Sequence, residues 1–119
     1  MLVKNRAQTG RIGEDLAAEH LERQGYQIID RNWRCSLGEL DIVAFAGGLT
    51  VAVEVKTRRS ARFGPPLEAI TEEKLARLRL LAVEWMRAHD RRGRIRLDAI
   101  GIELKPEGRA RIQHVEAMS

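Results

Sequence analysis

The chain has 119 residues, 44% of them hydrophobic and 32% charged, the profile of one globular domain able to bury about two-thirds of the surface its unfolded form exposes. Its apolar runs fall far short of the ~20 residues that span a bilayer, and the opening MLVKNRAQTGRIGED carries no apolar signal core, so the expected setting is the cytoplasm. The 21 Lys plus Arg against 17 Asp plus Glu leave a net charge of +4, which suits a polyanionic partner such as nucleic acid without requiring one. A single cysteine, Cys35, can form no internal disulfide, in keeping with a reducing compartment.

Residues 6–24 are patterned as a helix, with Ile12, Leu16, Ala17, Ala18 and Leu21 on one side and Asp15, Glu19, Glu22 and Arg23 on the other. Gly25 supplies the stop. Glu14 stands three, four and seven positions from Ala17, Ala18 and Leu21, at the margin of the apolar face. It is either a polar edge of the core or an acid aimed over the sheet. Residues 26–33 (YQIIDRNW) read as a first strand, and Asn32, Arg34 and Ser36 as a polar turn after it. Cys35 in that turn is read as a small filler and Trp33 as a packing anchor, because 4% aromatic content leaves little material for base stacking.

Residues 38–56 (GELDIVAFAGGLTVAVEVK) are two alternating apolar runs joined by Gly47 and Gly48, a tight-hairpin signal. If Ala46 pairs with Leu49, then Ala44 faces Val51, Ile42 faces Val53 and Leu40 faces Val55, giving one continuous apolar face. Asp41 then lies opposite Glu54, and Glu39 opposite Lys56; a slip of one residue would split the apolar set. Facing carboxylates on neighbouring strands repel. Two readings follow: a site for a hard divalent cation, since Mg²⁺ takes oxygen ligands from one or two carboxylates, or a solvated charge network on the outer face of a sheet.

Beyond the hairpin, Arg58, Arg59 and Arg62 lie in a loop that Gly64, Pro65 and Pro66 keep irregular. They are placed either to clamp phosphates or to sit solvated on a mobile loop. Thr71 caps a second helix, to about His89, with Leu75, Leu78, Leu81, Ala82, Trp85 and Met86 as its core stripe. Lys74 is a cation in the first turn, against the helix dipole, which marks it for function; His89 suits the C-terminal end of the dipole. Residues 94–104 (RIRLDAIGIEL) alternate as a strand in which Asp98 is expected to pair with Arg94 or Arg96. A turn at 105–108 (KPEG) leads to an edge strand at 109–115. His20 and His114 have no partner at metal-ligand spacing.

The order of an acid-bearing helix, GELDIVAF with Asp41, VAVEVKTR with Glu54 and Lys56, FGPPLEAIT and the RLDAI strand resembles the YraN-like family of bacterial proteins, and more widely the restriction-endonuclease-like, PD-(D/E)XK nuclease superfamily with its Holliday-junction-resolvase-like branch. The resemblance spans residues 13 to 102, approximately. It implies an α/β fold, a single restriction-endonuclease-like domain (1–119) whose central mixed β-sheet is flanked by two main helices. It further implies Asp41 and Glu54 as ligands of Mg²⁺ or Mn²⁺, Lys56 as the catalytic lysine, and Glu14 and Glu39 as further acids of the site. Arg58, Arg59, Arg62 and Lys74 would hold the flanking phosphates. The implied activity is Mg²⁺-dependent endonucleolytic cleavage of DNA, branched or distorted DNA included, by a homodimer. Leu40 replaces the superfamily's Pro before the first Asp, at a widely variable position. Two alternatives stand beside this: a non-catalytic nucleic-acid-binding module on the same fold, and a protein-interaction domain whose acids form a surface network.

Overall fold

The computed structural model describes residues 5–59 and 64–118. Helix α1 (Arg6–Arg23) is opened by Asn5, whose side chain accepts a bond from the Gln8 N–H, and closes at Gly25 with φ +92°. Strands β1 (Gln27–Cys35), β2 (Gly38–Ala46) and β3 (Leu49–Arg58) follow, then helix α2 (Glu72–Ala88), and strands β4 (Arg94–Leu104) and β5 (Ala110–Val115). They form a mixed five-stranded sheet in the order β1-β2-β3-β4-β5. Only β3 and β4 run parallel, because α2 carries the chain across the sheet between them. This is the expected α/β architecture. No helix among the described residues is long and apolar enough to cross a membrane.

Each helix covers one face of the sheet. Leu78, Leu81, Ala82, Trp85 and Met86 of α2 pack on Val43, Ala52 and Leu97, while Ala17, Ala18 and Leu21 of α1 pack on Ile42, Val51, Val53, Ile100 and Ile102. Each large side chain fully buried in these two layers contributes about 2–3 kcal/mol. Trp33 and Cys35 are partly buried against the α2 layer, as a packing anchor and a small filler would be. Thr71 caps α2 by accepting from the Lys74 N–H. Gly47 and Gly48 take φ of +55° and +78°, as a two-residue hairpin turn with left-handed central residues demands.

Several expectations need correction. β1 runs on through Asn32 to Cys35, pairing Trp33 with Leu40 and Arg34 with Glu39, so the turn is only Ser36 and Leu37. Asn32 lies inside the strand at φ +54°, a conformation Asn tolerates better than most residues. The hairpin's apolar face is not continuous either. Leu40 packs with Val43 on the α2 side whereas Ile42 packs on the α1 side, so strict alternation fails beside Asp41. Finally, Pro66–Ala69 form a short 3₁₀ turn in the stretch expected to be irregular. It seats on Gly101, where an added Cβ would come within 3.0 Å of Leu67 and 3.2 Å of Pro66.

Candidate functional site

The β2–β3 ladder follows the expected register from Ala46 opposite Leu49 to Ile42 opposite Val53, and stops there. One step further, where Leu40 would have paired with Val55 and Glu39 with Lys56, the backbone bond goes to a side chain. The Val55 N–H donates to Asp41 Oδ2 at 2.9 Å. The strand edge is thereby held by a carboxyl group, and that carboxyl meets Glu54 closely enough to share a hydrogen bond. Burial pushes the Asp41 carboxyl up to about 8, helped by the charge and bond of Glu54 and by the charge of Glu39, against the Val55 N–H, which favours the ionised form. A carboxyl pair in this state holds a proton that a divalent cation could replace.

The other acids are tied down. Glu14 is 13% exposed, and Oε1 accepts from Arg31 Nη2 at 3.2 Å while Oε2 accepts from Asn32 Nδ2 at 2.9 Å. Arg31 also bonds Asp15 at 2.7 Å. The left-handed turn of the backbone at Asn32 thus brings two successive residues of β1 onto one helix carboxylate. Glu39 accepts from Arg34 Nε at 2.8 Å. Among the described residues no three His, Cys, Asp or Glu side chains converge as a complete metal cage; the donor set at the ladder's end is Asp41 with Glu54. Two carboxylates with oxygen-only donors fit Mg²⁺, which keeps water or phosphate in its remaining positions.

An open cleft of about 1410 Å³ lies here, lined by Glu14, Glu39, Asp41 and Lys56 together with Arg58, Arg59 and Lys74. Lys56 is half-buried and Arg59 exposed. Lys74 is aimed by its backbone cap and by donation from Nζ to the Ala69 carbonyl at 3.0 Å, so the 3₁₀ turn on Gly101 brings it to the rim; Gly101 is the β4 partner of Lys56. Arg62 lies outside the described residues. The expected site residues that are described therefore gather in one place, except that Glu54 is reached through Asp41 and does not itself line the cleft.

Arg6, Arg11, Asn32 and Arg34 also line it, and none was foreseen. A signal existed for the helix pair, since Ala7, Gly10, Arg11 and Glu14 follow i, i+3, i+4, i+7 spacing and share a face. Gly13 lets that face come close: a Cβ there would overlap the Thr57 side chain on β3. Asn32 had no such signal, because its reach to Glu14 depends on a strand irregularity.

Residues 13–102 match the family model of Uncharacterised protein family UPF0102. The chain belongs to this family. A UPF0102 protein of Renibacterium salmoninarum is 46% identical over 117 residues, 98% of this chain and 99% of the relative. One from Kineococcus radiotolerans is 44% identical over 119 residues, 98% of each, and one from Leifsonia xyli subsp. xyli is 55% identical over 94 residues, 78% and 80% respectively. Glu14, Asp41, Glu54, Lys56 and Lys74 all fall inside the UPF0102 match, whereas Arg6 and Arg11 on the cleft rim precede it.

Proposed function

We propose that this UPF0102 protein is a Mg²⁺-dependent endonuclease that hydrolyses DNA phosphodiester bonds, with branched or distorted DNA as the preferred form. The observation that carries the reading is the buried Asp41–Glu54 carboxyl pair at the end of the β2–β3 ladder, beneath a cleft rimmed by arginine and lysine. Phosphodiester hydrolysis needs an attacking water, neutralisation of the phosphate's charge and support for the leaving oxygen; a bound Mg²⁺ supplies charge neutralisation and acidifies water. Asp41 and Glu54 would hold the ion, with Asp41 oriented by the Val55 N–H. Lys56, a donor with no acceptor, would position the water and place positive charge beside the phosphate. Arg58, Arg59 and Lys74, joined by Arg6, Arg11 and Arg34, would contact flanking phosphates and fix the register of the strand; Arg62 continues the same run in sequence. A two-fold junction substrate calls for a homodimer. The test is incubation with Mg²⁺ or Mn²⁺ and junction, flap, duplex and single-stranded DNA. Cleavage lost in Asp41→Ala and Glu54→Ala is expected; no cleavage by wild type, or equal cleavage by the variants, refutes the proposal.

A second reading, a nucleic-acid-binding module without catalysis, is favoured by the engagement of Glu14 and Glu39 with Arg31, Asn32 and Arg34. It predicts salt-sensitive DNA binding that needs no metal and survives Glu54→Ala.

A further inference from the structure

Away from the cleft, α1 and the edge strand β5 bring together two histidines 94 positions apart in sequence. His20 Nε2 and His114 Nδ1 are 3.3 Å from each other, with the rings at 76° and their centroids 5.3 Å apart. Behind His114, Nε2 lies 2.9 Å from Oδ2 of Asp98. Asp98 is fully buried and accepts two bonds from Arg96, at 2.9 and 2.8 Å, and one from the Ala117 N–H at 3.1 Å. An acid so surrounded by donors is a carboxylate, an acceptor only. His114 must therefore carry its proton on Nε2, which leaves the Nδ1 lone pair facing His20.

The distances fit more than a hydrogen bond. Two imidazole nitrogens at about 2.0–2.1 Å from a tetrahedral Zn²⁺ stand about 3.3–3.4 Å apart, and ring centroids about 1.15 Å behind them fall about 5.2 Å apart. A straight N–H···N bond of the same N···N length would put the centroids at about 5.6 Å by the same ring geometry. The observed pair matches the bent arrangement. The carboxylate behind His114 is moreover the usual orienting partner of a metal-bound histidine.

We infer that His20 Nε2 and His114 Nδ1 form a binding site for a borderline-soft divalent ion of the Zn²⁺ class, with water completing the coordination. Imidazole donors select Zn²⁺ over Mg²⁺, so this centre is chemically distinct from the carboxyl pair and does not depend on its role. His20 binds as the Nδ1–H tautomer, giving up the proton that otherwise bridges the two rings. Arg23 lies near enough for its charge to act on His20 and lowers the affinity. With no third His, Cys, Asp or Glu converging among the described residues, the site is weaker than a structural zinc centre. Its effect is mechanical: an ion there ties the C-terminal half of α1 to β5, beside the tail that Asp98 and the Leu97 carbonyl hold through Ala117 and Met118.

The test uses the full chain carrying Asp41→Asn and Glu54→Gln, so that the carboxyl pair takes no part. Zn²⁺ is expected to raise its Tm by about 3 °C or more, increasing with free ion, and Mg²⁺ is not. Adding His20→Gln or His114→Gln is expected to abolish the rise. As a readout that needs no histidine variant, Co²⁺ is expected to give the strong visible absorption of a tetrahedral ion, displaced by Zn²⁺. A Tm unmoved by Zn²⁺, a rise that persists in both histidine variants, or no such Co²⁺ spectrum overturns the inference and leaves a hydrogen-bonded histidine pair.

Discussion

Asp41→Asn probes the carboxyl pair most directly. Burial first, and Glu54 second, raise Asp41 from 3.8 to about 8, so between those values the native state keeps a proton that the unfolded chain has released. The native state binds more protons, and its stability falls as pH rises through that window. At about 1.4 kcal/mol per pH unit the loss has a ceiling of about 6 kcal/mol by pH 8. Rotation of the carboxyls and entry of water bring the expected loss to about 2–3 kcal/mol. Asparagine reproduces the protonated acid: its oxygen accepts from the Val55 N–H and its amide donates to Glu54. The variant should match wild type near pH 5 and exceed it by about 2 kcal/mol at pH 8, a Tm difference of about 8 °C. Urea denaturation from pH 4.5 to 8.5 in the presence of EDTA measures this. At pH 8, Mg²⁺ should then raise the Tm of wild type and leave that of the variant unchanged. Parallel pH profiles, or a variant less stable than wild type at pH 8, would show that the pair is not strained.

Three further substitutions test the surrounding framework. Asn32→Ala removes a bond to Glu14 and places alanine at φ +54°, so chemical denaturation should show a loss of about 2 kcal/mol, of which Asn32→Gly recovers the backbone part, about 1 kcal/mol. Gly13→Ala forces α1 off Thr57 and should cost about 1–3 kcal/mol. Gly10→Ala, which meets nothing within 4 Å, should gain up to about 1 kcal/mol by the same measurement. Asp98→Ala leaves Arg96, His114 and the Ala117 N–H without their acceptor; a loss of about 3–5 kcal/mol is expected, with faster hydrogen exchange at Met118, whose N–H bonds the Leu97 carbonyl.

Much of this architecture was legible because it follows from period and punctuation. The glycine pair fixed the hairpin, and a slip would have exposed Ile42 and Val53, both fully buried. The stripe on α2 and the Thr71 cap are likewise local signals. What escaped the sequence depends on departures from regularity. Alternation predicts Leu40 on the side of Ile42, but the chain reverses it beside Asp41, and the ladder ends at the point where regular pairing would have set two charges side by side. Asn32 was assigned to a turn because it is polar and near Ser36, while in the sheet its positive φ directs it to Glu14. His20 and His114 were dismissed on spacing, a criterion blind to ligands that the fold brings together from a helix and the last strand.

The two inward acids of the sheet sharpen the case for the cleft. Asp98 and Asp41 both sit on strands of one core, yet they meet opposite surroundings. Burial alone would raise the Asp98 pKa, but bonds from His114, Arg96 and the Ala117 N–H outweigh it, and the net shift is downward. That is how a fold accommodates a buried acid for stability. Asp41 has one backbone N–H, and its other close neighbour is a second acid. Cations are not scarce nearby: Lys56, Arg58 and Arg59 line the same cleft. Substituting an uncharged residue at 41 or 54 would remove the repulsion at once, so the pair is costly to the empty protein. A divalent ion reverses that cost by supplying the charge that both carboxylates lack. On this argument Asp41→Asn and Glu54→Gln should each stabilise the metal-free protein at pH 8, and the double variant should gain much less than the two singles together, because either change alone already ends the repulsion. Full additivity in that cycle would place the strain in burial alone and remove the reason for reading the pair as a metal site.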